Sequence, residues 1–406
     1  MTVSDRVVLG VSGSIAAYKS PEIVRRLRAA GFEVRVAMTP AATRFIGPLT
    51  LEAVSNAPVY LDPVARAPRS IEGEAAPIAH TELTSGIEAL LVAPASADII
   101  AKIALGLGDD AISVLALAHP ADAPLLIAPA MNPRMWANPA VRENIERLER
   151  RGAIIIGPDE GAAACGDRGR GRMSEPDEIV ARTLRAMARR RAARPPRRIL
   201  VLSGPTREAL DDVRFLSNGS SGRMGAALAG TAFENGEEVT VVSGPAAIMP
   251  PRWIATMQVE SAGEMLSAAR AEVERSGEFD VIISPAAVAD LKPRRRPGKP
   301  EKTGYQAIEV EPTPDVVGTL AAERRAAGGR PLVVAFTAAE DATDLQAARR
   351  KATAHGADAI VVNEARSTMG AASATVTLLM PDAAPAVIGP APKRAIAREL
   401  WRMLLG

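Results

Sequence analysis

Short runs of β-branched and aliphatic residues alternate along the first half of the chain with longer segments whose apolar positions recur every three or four residues. Arg6 to Val11, Glu33 to Met38, Ala89 to Ala93, Pro124 to Ala128 and Ala153 to Ile156 read as strands. Ser14 to Ala30, Ala97 to Leu107, Ala111 to Ala118 and Pro139 to Arg151 read as helices. Such alternation builds βαβ units, and βαβ units build a parallel sheet covered on both faces.

After Asp177 a helix runs into Arg189, Arg190, Arg191 and Arg194, then meets Pro195 and Pro196. Tandem proline stops a helix and clustered positive charge repels itself, so residues 189–196 are predicted to link a domain over 1–188 to one over 197–406.

A second alternating series follows, with strands near Ile199 to Leu202, Val239 to Val242, Val281 to Ser284, Leu332 to Phe336 and Ala359 to Val362. Helices are predicted at Gly222 to Asn235, Ala262 to Ser276, Asp315 to Ala326 and Asp341 to His355. Thr375 to Met380 and Ala386 to Ile388 are predicted to pair as a hairpin across the Pro381-Asp382 turn. The fold class is therefore α/β with two Rossmann-like domains: an N-terminal flavodoxin-like, doubly wound parallel sheet and a C-terminal α/β domain with an added hairpin.

Composition narrows the function classes. The 406 residues exceed one ordinary core, and 47% apolar with 24% charged residues is the balance of a soluble globular protein. No run approaches the roughly 18 apolar residues of a membrane span, and the first strand starts at Arg6, so a cytoplasmic chain without membrane attachment is expected. The single cysteine, Cys165, excludes a disulfide framework. A net charge of +2 and 3% aromatics give no footprint for nucleic acid.

Candidate chemistry gathers at strand ends. The first strand runs into Ser12, Gly13, Ser14 and Ile15, a small-residue turn that delivers backbone N–H groups to a phosphate. The second ends at Thr39 and the third in Pro94, Ala95 and Ser96. Hydroxyls on three adjacent strand ends favour a bound nucleotide, because open α/β sheets bind ligands at those ends. His80, Asn132 and Cys165 stand on nearby loops; each alone is as readily a hydrogen-bonded surface histidine, a turn asparagine and a buried thiol.

Taken together these residues resemble the homo-oligomeric flavin-containing cysteine decarboxylases, which include phosphopantothenoylcysteine decarboxylases. The resemblance is carried by Gly13 to Lys19, the His80 segment, Ala93 to Ala97, the run Pro129 to Trp136, and Ala164-Cys165-Gly166 leading to Gly171-Arg172-Met173. It implies bound FMN contacted by Gly13, Ser14, Ile15, Thr39 and Ser96, which accepts electrons from a cysteinyl thiol so that the neighbouring carboxylate can leave as carbon dioxide. It implies His80 as the acid/base residue, Asn132 as the group that holds the carboxylate or amide, and Cys165 as the proton donor on a flap from Gly157 to Arg172. Where relatives commonly carry Asn-Thr, this chain has Asp98 and Ile99.

In the second half, Gly204-Pro205-Thr206-Arg207-Glu208, then Ser217-Asn218 with Ser220-Ser221-Gly222-Arg223, place small polar residues and arginine ahead of a helix, which suits an anionic substrate. With Ala286 to Asp290, Pro314-Asp315, Phe336 with Ala338 to Glu340, and Asp358 to Asn363, this half resembles phosphopantothenate-cysteine ligases. The order of the halves is similar to that of the bifunctional bacterial enzymes of coenzyme A biosynthesis.

That resemblance implies CTP as the activating nucleotide, with base and ribose around Ser284, Pro285, Ala286, Pro314, Asp315, Val316, Val317 and Phe336 and phosphates on Lys299, Lys351 and His355. Asp290 would hold Mg²⁺, and Asn218 would bind an acyl-cytidylate formed from 4'-phosphopantothenate before cysteine attacks it. The lid reads Lys299-Pro300-Glu301-Lys302 with Arg294, Arg295 and Arg296 nearby, and His355 stands where relatives carry a second helical lysine. Decarboxylase trimers joined by ligase dimers into a dodecamer are implied as well. A noncatalytic regulatory flavoprotein would have lost His80, Asn132 or Cys165, and all three are present.

Overall fold

The computed structural model describes residues 5–62, 79–162, 166–299, 301, 307–328, 331–339, 345–364, 371–381 and 383–406. Contacts divide the chain into two units, Met1–Ala193 and Arg194–Gly406, each with its own sheet.

In the first unit six parallel strands, β1 (Arg6–Val11), β2 (Glu33–Met38), β3 (Val59–Tyr60), β4 (Ala89–Ala95), β5 (Leu125–Pro129) and β6 (Ile154–Ile155), stand in the order β3-β2-β1-β4-β5-β6. β3 is a two-residue edge strand, too short to show a period in sequence. Without it the other five stand in the 2-1-3-4-5 order of a flavodoxin-like sheet. Side chains alternate across the sheet: Val7, Leu9, Val11, Leu91 and Ala93 enter one core, Val8, Leu90 and Val92 the other. Strand order reverses between β1 and β4, so a crevice opens at their carboxyl ends.

A hairpin, β7 (Asp159–Ala162) with β8 (Arg168–Arg172), follows β6. The helix Pro176–Arg191 then includes Arg189, Arg190 and Arg191, three of the arginines expected in the linker. Their repulsion is relieved within the unit: Arg190 meets Asp122 at 2.5 Å, and Arg191 meets Glu88 at 2.9 Å and Asp5 at 2.7 Å. Glu88 is only 2% exposed, and a buried carboxylate without such a cation would be costly. The irregular segment therefore begins at Ala192 rather than at residue 189.

The second unit contains β9 (Arg198–Ser203), β10 (Arg207–Ala209), β11 (Phe215–Ser217), β12 (Glu238–Ser243), β13 (Ala255–Gln258), β14 (Val281–Ser284), β15 (Leu291–Pro293), β16 (Val310–Pro312), β17 (Leu332–Ala339), β18 (Ala359–Glu364), β19 (Ser373–Leu379) and β20 (Ala386–Pro392). Its main sheet has eight strands in the order β13-β12-β9-β14-β17-β18-β19-β20. It is parallel as far as β18, and β19 and β20 add the expected antiparallel hairpin. Order reverses between β9 and β14, which places a second crevice at their carboxyl ends. β10 with β11 and β15 with β16 form small separate hairpins.

A terminal helix, Lys393–Leu405, packs on the helix Arg223–Glu234. Ile396, Ala397, Leu400 and Trp401 form its buried stripe, and Trp401 Nε1 donates to the Leu228 carbonyl at 3.0 Å. Burying large side chains of this kind contributes about 1.5–3 kcal/mol each, which fixes the helix and its first residue in place. Among the described residues no helix is long and apolar enough to cross a membrane.

Candidate functional sites

The crevice of the first unit is stitched by Ser12, whose Oγ donates to the Pro94 carbonyl at 2.8 Å and accepts from the Ser96 N–H at 2.8 Å. Around it, Ser14 Oγ accepts from Ala16 N at 3.3 Å, Thr39 Oγ1 from Ala42 N at 3.2 Å, and Ser96 Oγ from Ile99 N at 3.4 Å. A hydroxyl that accepts one N–H still has its own proton to donate, so three strand ends offer donors to an anion. A Cβ at Gly13 would stand 2.6 Å from the Ala41 Cβ, so the turns after β1 and β2 meet at a distance only glycine permits. Ile15 beside them is 58% exposed, an apolar surface next to polar donors.

Asn132 caps the helix Pro133–Ala137, its Oδ1 accepting from Arg134 N at 2.7 Å. Its Nδ2 donates to Asp167 at 2.8 Å, at the start of the returning arm of the β7–β8 hairpin. Met131 N donates to the Gly171 carbonyl at 3.0 Å, a second tie between loop and hairpin. Cys165 lies outside the described residues. His80 is carried separately on the helix Ala79–Thr84, and its Nδ1 is buried with no hydrogen-bond partner among the described residues. A buried nitrogen left without any partner costs about 1–3 kcal/mol.

Asp98 and Ile99 are accounted for locally. Ile99 is fully buried, while the largely exposed Asp98 meets Lys102 at 3.4 Å. Lys102 also meets Asp109 at 3.1 Å and Asp110 at 3.0 Å. Burial works against its ammonium, but hydrogen bonds to Asp110 and Asp109 outweigh it and hold the pKa well above the usual lysine value.

The crevice of the second unit is a cavity of about 480 Å³. Asn218, Ser284, Pro285, Ala286, Asp290, Pro314, Asp315, Val316, Val317, Phe336, Lys351 and His355 all line it, as the sequence reading requires of a common site. Asn218 spans the crevice, donating from Nδ2 to the carbonyls of Ala287 at 3.2 Å and Val288 at 3.1 Å. Thr206, fully buried after β9, accepts from Ala289 N at 2.9 Å and so fixes the segment that ends in Asp290. Asp315 caps the helix Val316–Ala326 through Gly318 N at 3.0 Å and receives His355 Nδ1 at 2.6 Å on its other oxygen.

Lys299 is the exception. It is exposed and is not among the cavity's lining residues, because its loop is held at Gly298 by hydrogen bonds to and from Asp212 at 3.0 and 3.1 Å. Lys302 lies outside the described residues. Arg223, Asn363 and Lys393 also line the cavity, and only Arg223 is read from the sequence as suited to an anion. Arg223 and Asn363 fall inside motifs read from the sequence; Lys393 belongs to the terminal helix, and nothing local in the sequence marks it.

Comparison with known proteins agrees with this division. The family described as "Flavoprotein" matches residues 1–188, and "DNA/pantothenate metabolism flavoprotein C-terminal domain" matches residues 195–406. The chain is 41% identical over 366 residues to the coenzyme A biosynthesis bifunctional protein CoaBC of Vibrio vulnificus strain YJ016, covering 88% of this chain and 86% of that one. It is 42% identical over 369 residues to the CoaBC of Escherichia coli K12, covering 88% and 86%, and 36% identical over 383 residues to that of Bacillus subtilis 168, covering 93% and 90%. A solved C-terminal domain of a CoaBC aligns over 51% of this chain and 93% of its own length with 35% identity and a TM-score of 0.43.

Proposed function

Because the chain belongs to the family of coenzyme A biosynthesis bifunctional proteins CoaBC, we propose that its two crevices carry out consecutive steps of that synthesis. The C-terminal unit joins cysteine to 4'-phosphopantothenate at the expense of CTP. The N-terminal unit decarboxylates the product to 4'-phosphopantetheine. The observation that carries the reading is the cavity at the crevice of the second unit, where Asn218, Asp290, Asp315, Phe336 and Lys351 converge from five separate segments.

In the ligase cavity, the turn from Ser284 to Ala286 and the helix start at Val316 and Val317 hold the nucleoside, and Lys351 neutralises phosphate oxygens. The carboxylate of 4'-phosphopantothenate attacks the α-phosphorus, pyrophosphate leaves, and the amine of cysteine then displaces CMP from the acyl-cytidylate. Asn218, held across the crevice, orients the acyl group for both displacements. Asp290 would hold Mg²⁺ jointly with the nucleotide's phosphates, as that ion prefers; no cage of three or more His, Cys, Asp or Glu side chains exists among the described residues.

In the first unit the donors of Ser14, Thr39 and Ser96 fit the phosphate of FMN, and the exposed face of Ile15 fits its ring. FMN supplies the two-electron acceptor that makes loss of carbon dioxide from a cysteinyl group possible. His80 moves the proton of the reacting group, Asn132 holds the carboxylate, and Cys165 returns a proton at the end. Ile15 and Tyr18, 58% and 64% exposed, also support self-association of this unit. Mass photometry should then show a homo-oligomer, with twelve chains as the expected assembly.

Separation of function tests the reading. Asp290→Asn should stop pyrophosphate release while leaving decarboxylation of supplied 4'-phosphopantothenoylcysteine intact, and His80→Gln should do the reverse. Loss of both activities in either variant would contradict the assignment of one reaction to each crevice.

A further inference from the structure

One corner of the second unit's cavity is built from two helix N-termini. The helices Arg223–Glu234 and Lys393–Leu405 each begin with a cation, neither has a side-chain cap, and neither carries an acid in its first turn. Both Arg223 and Lys393 line the cavity.

Each of these choices is unfavourable for the free protein. A cation at a helix N-terminus faces the positive end of the helix dipole, where Asp, Glu, Ser or Thr would stabilise. Lys393 is only 6% exposed, and burial, then the charge of Arg223, push its ammonium below the usual lysine range. The Nε of Arg223 is buried with no hydrogen-bond partner among the described residues. The neighbouring Arg394 reaches Glu234 at 2.5 Å. Trp401, bonded to the Leu228 carbonyl, fixes the helix that holds Lys393 inward.

An anion reverses the sign of every one of these terms, since backbone N–H groups, a guanidinium and an ammonium would all donate to it. We propose that Lys393 and Arg223 form a phosphoryl-binding corner of this cavity and receive a phosphate group of one of its substrates. The inference rests on the ligase reading and deepens it. Two substrates carry that chemistry: the terminal phosphates of CTP, which leave as pyrophosphate, and the phosphate monoester of 4'-phosphopantothenate.

The test is calorimetric titration of the full-length, FMN-loaded protein and its Lys393→Met and Lys393→Arg variants. The ligands are CTP against CMP, both with Mg²⁺, and 4'-phosphopantothenate against pantothenate. Lys393→Met should lose about ten-fold or more in affinity for the phosphate-bearing member of one pair, the scale of one charged hydrogen bond. Lys393→Arg should retain it, and the unphosphorylated member or CMP should bind unchanged. Loss confined to CTP assigns the corner to the nucleotide; loss confined to 4'-phosphopantothenate assigns it to the acid.

Wild-type affinity of Lys393→Met for both phosphate-bearing ligands would overturn the proposal. If that variant does not fold, Arg223→Gln in the same titrations decides by the same criteria. Wild-type protein that binds neither CTP nor 4'-phosphopantothenate would sink the ligase reading and this one with it. Normal binding by wild type and an unaffected Lys393→Met would sink this one alone.

Discussion

Asn132 donates to Asp167 at 2.8 Å, so the side chain expected to hold the substrate carboxylate is itself held by a carboxylate two residues beyond Cys165. The β7–β8 hairpin and the loop that carries Asn132 are thus tied by Asp167 and by the bond from Met131 N to the Gly171 carbonyl. This bond from Asn132 to Asp167 fixes the Asn132 amide, so Asp167 is expected to serve as a positioning residue for it.

Asp167→Ala is expected to reduce kcat/KM for decarboxylation by about ten-fold, one charge-assisted hydrogen bond. The loss should appear mainly in KM, with the flavin spectrum and ligase activity unchanged. A variant with wild-type KM would remove Asp167 from the site.

Gly171 has φ of +156°, and a Cβ there would stand 2.4 Å from the Met131 carbonyl oxygen. Gly171→Ala should therefore push the hairpin off the Asn132 loop at a cost of about 1–3 kcal/mol. Thermal unfolding of the N-terminal unit should shift down, and decarboxylation should fall with it. An unchanged melting temperature and rate would show that the loop yields freely.

His355 shares Asp315 with the N-cap bond to Gly318. His355→Lys places an ammonium in the cavity in place of the imidazole bonded to Asp315. CTP affinity is expected to rise about three- to ten-fold in isothermal titration. No gain would show that His355 serves Asp315 rather than the phosphates.

Lys393 gives a signed pH dependence. Its folded-state pKa is lowered by burial and by Arg223, so between that value and the ordinary lysine pKa the unfolded chain binds more protons than the folded one. The free protein should gain stability as pH rises through this window, and Lys393→Met should lack that gain. Melting curves of both proteins across the alkaline range check this; parallel curves would contradict it.

Much of this was legible in the sequence, for physical reasons that differ by element. β1 and β4 could be read because apolar runs of strand length alternate with helical periods, and both of their faces are buried. The helix Ala111–Ala118 begins where Asp110 and Ser113 form a reciprocal capping box. β3, the helix Ala79–Thr84 and the β10–β11 and β15–β16 hairpins are too short to display a period. The terminal helix does carry one, in Ile396, Ala397, Leu400 and Trp401, and that stripe is the signal by which it can be found.

The sites divide in the same way. Asn132 and Asp290 sit in motifs that also build the local turn, so sequence marks them. Lys393 enters its cavity only through packing of the last helix on the helix Arg223–Glu234, a relation between segments some 170 residues apart, and no local pattern encodes it. Lys299 shows the converse: a lysine in a lid-like motif whose loop is tied to Asp212 outside the cavity lining.

The most direct test supplies the purified protein with FMN, CTP, Mg²⁺, cysteine and 4'-phosphopantothenate and follows pyrophosphate and carbon dioxide together. Equal amounts of the two, with carbon dioxide appearing after pyrophosphate, are expected of two consecutive sites on one chain. Pyrophosphate without carbon dioxide, or carbon dioxide release that does not require CTP, would contradict the account.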